Sequence, residues 1–147
     1  MCFVLYAGTS MPIPQKEWRN DVPGLSVEAL TERESPIAVH FSKPEVRYIG
    51  STSGCGCDFP HVMFQNGDWP WFDDGEHDPE QEASDRYNRE ALVNLLQATG
   101  EQTVELYGVW DGDFMTPPAV REEIALTVIV DPSFRFREQG LYVVRVA

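Results

Sequence analysis

The residues with the chemistry to do work are concentrated between Gly50 and His61, which reads GSTSGCGCDFPH. This stretch holds Cys55 and Cys57, one glycine apart, and His61; the only other cysteine of the chain is Cys2. A glycine between two cysteines frees the backbone to reach φ > 0 and lets both sulfurs turn to one side. Three outcomes follow. Two thiolates can bind one soft ion such as zinc, although structural zinc sites usually space their cysteines two to four residues apart. A pair of thiolates half fills a tetrahedral site, so Cys2 and His61 are the candidates to complete it, ahead of His40. Alternatively the pair can close a very small, strained disulfide ring, which suits a redox-sensitive site better than a staple. The third outcome is a pair of inert thiols in a partly buried turn, since free cysteine is among the most buried residue types.

For a three-cysteine site, Cys2 must come to the loop. Residues 2–7 form a short apolar run that reads as a strand, and residues 46–49 form another that ends at Gly50. If these two strands are antiparallel neighbours, the start of the first lies beside the end of the second and the loop hangs over Cys2. If they run parallel, six residues at about 3.3 Å each put Cys2 roughly 20 Å away. The expectation is that the three sulfurs cluster.

The rest of the chain must supply the frame. With 147 residues, 42% hydrophobic and 12% aromatic, it is long enough for one domain, residues 1–147; a chain of that size hides about 70% of its unfolded surface. The net charge of −13 speaks against nucleic-acid and anionic-membrane partners and is compatible with a basic protein. Three cysteines are too few, and odd in number, for a secreted disulfide framework. No basic leader region and no apolar run of about eighteen residues is present, so the expected compartment is the cytoplasm.

One helix is well marked. Asp78 is placed to cap it, Pro79 to open it, Gln81 follows three residues after the cap, and Gly100 stops it. Tyr87, Ala91, Leu92, Leu95, Leu96 and Thr99 recur at helical spacing, which predicts a helix over about 79–99 with an apolar face against the core. Residues 37–41, 102–110, 123–130, 134–137 and 141–146 read as strands, with residues 25–30 either strand or helical turn. Gln139 and Gly140 point to a hairpin between the last two. The predicted fold class is α+β, a largely antiparallel β-sheet with the long helix on one face. Residues 68–78 make an acidic, tryptophan-bearing loop in which Trp69, Trp71 and Phe72 are candidate anchors for a basic partner, or else a cover for one edge of the core. Glu105 and Asp111 are further carboxylates near one strand, most simply read as solvent-facing.

Two resemblances follow from these residues. Met1 followed by Cys2 and a strand resembles the opening of N-terminal-nucleophile amidohydrolases. That resemblance implies removal of Met1 and a Cys2 thiol activated by its own α-amino group; His40 or His61 would move protons and Asn66 would help to bind an oxyanion. The combination of Met-Cys, an aromatic and aliphatic strand, and Gly-Ser before Cys-Gly-Cys is similar to a family of small uncharacterised bacterial proteins, which implies no activity. Phosphate-binding, dinucleotide-binding and hydrolase-elbow motifs are missing. Three function classes stand: a thiol cluster of Cys2, Cys55 and Cys57 with His61, holding zinc or acting as a redox site; an interaction module built on the 68–78 loop; and a Cys2 hydrolase.

Overall fold

The computed structural model describes residues 2–22, 24–62 and 79–147. The 68–78 loop with Trp69, Trp71 and Phe72, the Asp78 cap and Asn66 therefore lie outside the described residues. Among the described residues, eight strands and two α-helices follow in the order β1 (Phe3–Thr9), β2 (Ser26–Ala29), β3 (Glu45–Gly50), β4 (His61–Val62), α1 (Pro79–Ala98), β5 (Thr103–Trp110), β6 (Val120–Ala125), α2 (Leu126–Ile129), β7 (Phe136–Arg137) and β8 (Gly140–Arg145). A 3-10 helix, Ser35–His40, precedes β3. Six strands form one sheet in the order β2-β3-β1-β5-β8-β6, and β4 and β7 form a small parallel pair of their own. Within the large sheet every pairing is antiparallel except that of β6 with β8. The α+β class expected from the sequence is the one observed.

The sheet is covered on both faces, and its central strands β1 and β5 are buried almost throughout. Every residue of β1 is buried. Phe3, Leu5 and Ala7 join Leu92 and Leu96 of α1 in one core cluster, and Val4 and Tyr6 join Ile37, Tyr107 and Phe114 in the other. Successive side chains of a strand point to opposite faces, so β1 feeds both clusters. The second face is closed by the 3-10 helix and by the loop after β5, not by a long helix.

Three expected elements differ. Residues 37–41 were predicted as a strand from the alternation of Ile37, Val39 and Phe41. They form the 3-10 helix instead, with Pro36 in its first turn; only Ile37 of that stretch is fully buried, and Val39 is 75% exposed. Proline pre-sets φ near −65° and has no N–H to give a sheet. The 123–130 run is strand only to Ala125 and then turns into α2. The Gln139–Gly140 turn exists, with Gln139 at φ 62°, but it joins strands of different sheets. β7 pairs with β4 while β8 pairs with β5 and β6, so no hairpin forms.

One carboxylate ties the far edge of this frame together. Glu101, half-buried after α1, accepts the backbone N–H groups of Ser10 and Met11 at 2.7 and 3.2 Å and the Lys43 ammonium at 3.2 Å. Burial alone would raise its pKa, but the two N–H groups and the lysine outweigh it and hold the carboxyl below its ordinary value. A depressed folded-state pKa contributes stability that is complete above the unfolded value and is lost as pH falls through the folded one. Glu101→Gln is therefore expected to lower stability near neutral pH and to flatten the fall in stability below about pH 4.5, read by urea unfolding across that window. An unchanged acid profile in the variant would remove Glu101 from the account.

Candidate thiol centre

The antiparallel pairing of β1 with β3 settles where Cys2 lies. Leu5 sits opposite Ile49 and Tyr6 opposite Tyr48, so the chain leaving β3 at Gly50 runs back beside the start of β1. The connection is fastened there. Gly56 donates its N–H to the Phe3 carbonyl at 3.0 Å, and the Cys2 carbonyl accepts the Asp111 N–H at 2.8 Å. A Cβ at position 56 would stand 2.6 Å from the Phe3 carbonyl oxygen, inside contact distance with a backbone atom that cannot swing away. Glycine is needed between the cysteines for this close approach; the positive φ expected there falls on Gly54 and not on Gly56. Gly56→Ala is expected to push the loop off β1 and weaken ion binding at least about tenfold, with the sheet intact by far-ultraviolet circular dichroism. Unchanged affinity would show that the loop does not depend on this contact.

The loop is internally tied as well. Ser51 and Cys55 are joined by the Ser51 N–H to the Cys55 carbonyl at 2.7 Å, and the Ser51 hydroxyl donates to the same carbonyl. Gly54, at φ +92°, donates its N–H to the Ser51 carbonyl. The Tyr48 hydroxyl donates to the Gly54 carbonyl at 2.8 Å. Burial, followed by the negative charge at Cys55, raises the Tyr48 pKa and keeps it a donor. The Trp18 indole lies 3.3 Å from where a Gly54 Cβ would be, and its N–H donates to the Thr52 carbonyl at 3.1 Å. Trp18, in the segment between β1 and β2, is thus anchored on the thiol loop itself.

In this setting the sulfurs of Cys2, Cys55 and Cys57 all lie within 4.8 Å of one another. Cys2 and Cys55 are half-buried, Cys57 is exposed, and all three are free thiols. Burial of the Cys55 sulfur opposes ionisation, but it is outweighed by hydrogen bonds from the Ser53 hydroxyl, the Cys57 N–H and the thiols of Cys57 and Cys2, which hold it below the usual thiol value. Partial burial and then the Cys55 thiolate push Cys57 up to about 12. Of the pair around Gly56, Cys55 is therefore the sulfur more easily ionised. A tetrahedral ion at 2.3 Å from each sulfur would set them about 3.8 Å apart, so closure by about 1 Å per pair suffices.

His61 is near this region but outside the three-sulfur group. Its ring stacks on Phe3 with centroids 4.4 Å apart and stands edge-on to Trp110. Its Nδ1 lies 2.7 Å from the Phe59 carbonyl, and because a carbonyl only accepts, Nδ1 carries the proton. Burial lowers the His61 pKa, leaving a neutral ring. His40, the weaker candidate, is held elsewhere, with Nε2 2.9 Å from the Phe114 carbonyl and its ring against Tyr107. Glu105 and Asp111 are separately engaged: Glu105 is buried and accepts the Ser42 and Lys43 N–H groups, and Asp111 pairs with Arg33 at 2.8 Å.

Sequence reasoning missed Asn88. It is fully buried on α1, where its carboxamide accepts the Thr52 N–H and donates to the Thr52 hydroxyl, each at 3.1 Å. Thr52 in turn donates to the Asp58 carboxylate at 3.2 Å. This network links the helix to both sides of the cysteine pair. The signal was present in the spacing of positions 88, 92 and 96, which places Asn88 on the face of Leu92 and Leu96, whereas the predicted member Tyr87 is 47% exposed. Asn88→Ala is expected to cost about 1–3 kcal/mol of stability and 10–100-fold in ion affinity; unfolding and ion titration read the two separately, and no loss in either would make the network incidental. Comparison with protein-family models, with curated proteins and with solved structures gives no match.

Proposed function

We propose that the protein binds a soft metal ion through the thiolates of Cys2, Cys55 and Cys57, zinc being the first candidate. The observation that carries this reading is the convergence of three sulfurs within 4.8 Å, one of them from a position more than fifty residues away from the other two in the chain. Chance burial of thiols gives no reason for three to face one another beside an exposed rim, whereas thiolate donors select zinc, univalent copper or iron–sulfur chemistry. One thiolate is already favoured at Cys55, which supplies a landing point; the others give up protons as the ion binds. Titration of the reduced protein with zinc against a chromophoric chelator is expected to give one ion per chain, and a stoichiometry near zero would refute the reading.

A second reading rests on the same three clustered sulfurs, of which Cys55 is held below the usual thiol value. A thiolate beside two thiols is arranged for exchange, because the ionised sulfur is the attacking form. With diamide as the two-electron acceptor, two thiols lose two protons and two electrons and one S–S bond forms. Intact-protein mass spectrometry is expected to show loss of two hydrogens per chain, and protection by bound zinc would place both chemistries at one site.

A further inference from the structure

Three protein sulfurs leave one position of a four-coordinate ion to be filled. Structural zinc sites close with four protein donors, whereas sites that engage an external ligand keep one position open. Among the described residues the metal-competent group contains the three cysteines and no histidine or carboxylate. His61, whose Nδ1–H on the Phe59 carbonyl leaves Nε2 as a lone-pair donor, lies outside that group, with its ring stacked flat on Phe3.

The loop also has no need of an ion as a staple. Hydrogen bonds from Ser51 to Cys55, Gly54 to Ser51, Gly56 to Phe3 and Tyr48 to Gly54 hold its course, and Asn88 holds Thr52. Access comes from the exposed side, at Cys57.

Resting on the reading that the cluster holds a soft divalent ion, we propose that this ion keeps an exchangeable fourth position facing solvent, and that the position takes an external neutral nitrogen donor of the imidazole class. The charges choose the class. A divalent ion on three thiolates carries −1, Asp58 stands in the same loop, and the chain carries −13. A further anion meets repulsion that a neutral donor escapes. Imidazole nitrogen also suits the borderline-soft ions that thiolates hold.

Cobalt(II) reports on coordination through its visible bands and is the probe of choice for the full chain. One cobalt per chain is expected. Added imidazole should shift the bands saturably, and azide should bind at least about tenfold more weakly. His61→Ala should leave the spectrum before imidazole addition unchanged. Bands that ignore imidazole, or that change when His61 is removed, mean that the protein itself closes the site; the inference then fails while the three-sulfur reading stands. Azide binding as well as imidazole overturns the preference for a neutral donor. Absence of cobalt binding defeats the three-sulfur reading and the inference together.

Discussion

Replacing Cys55 or Cys2 by serine is expected to weaken zinc binding by about two to three orders of magnitude. The size follows from sharing the roughly 10–16 kcal/mol of a structural zinc site among four ligands, which assigns about 2.5–4 kcal/mol to each. Serine keeps the shape of the side chain but supplies a hydroxyl that remains protonated at neutral pH and is a poor ligand for a soft ion. Cys2→Ser is the more telling of the two. Only the tertiary structure brings Cys2 to Cys55 and Cys57, through the β1–β3 pairing and the Gly56 bond to Phe3, so equal losses in both variants would establish the cluster in solution. Competition titration measures the affinities, and circular dichroism shows that the sheet is intact. A Cys2→Ser protein that binds zinc as tightly as the parent would leave a two-cysteine loop and dissolve the site. A proteolytic nick after Met1 is not required by this chemistry, since the sulfur and not the α-amino group is the donor.

Arg89→Ala is expected to cost about 3–5 kcal/mol, the largest loss of stability for a single substitution among those considered. The Arg89 side chain is 4% exposed on α1, and its guanidinium donates to the carbonyls of Ile129, Pro132 and Phe134 at 3.0, 3.3 and 2.7 Å. Among the described residues no carboxylate hydrogen-bonds to this guanidinium, though the charges of Asp85 and Asp131 favour it; the cation is held by backbone dipoles at the end of α2 and in the turn after it. Burial and then the neighbouring Arg135 lower its pKa, yet a guanidinium stays protonated throughout the working range. Truncation removes three charge-assisted bonds, leaves the carbonyls of Pro132 and Phe134 to Arg135 alone, takes the guanidinium from that of Ile129, and opens a gap between α1 and α2. For a domain of this size the loss corresponds to a fall in Tm of about 10 °C. Arg89→Lys is expected to recover less than half of it, because an ammonium is a point donor that cannot span three acceptors in a fan. A loss below about 1 kcal/mol in urea unfolding would show that water replaces the guanidinium at these carbonyls.

These two residues mark different degrees of legibility. Cys55 and Cys57 announce themselves, since two thiols around a glycine have few structural duties. Arg89 has no such signal: an arginine in the middle of an acidic helix reads as solvent-facing, and only the packing of α2 against α1 buries it. Asn88 is an intermediate case, on the apolar face by spacing but polar by type. The 3-10 helix shows the opposite error. The alternation of Ile37, Val39 and Phe41 is a genuine strand pattern, but Pro36 and a single buried side chain decided the outcome.

By itself the sequence determined what short-range chemistry determines. The long helix from Pro79 follows from proline, early acidic residues and apolar spacing. The β-leaning runs follow from branched and aromatic side chains, and the turn around Gly56 from the absence of a Cβ. Which strands pair was decided only in three dimensions, because backbone hydrogen bonds carry no residue identity and register depends on which faces must be buried together. That choice, β3 antiparallel to β1 and β1 antiparallel to β5, is what carries Cys2 to Cys55 and Cys57 and keeps His40 on the other side of the fold's chemistry, against Phe114 and Tyr107.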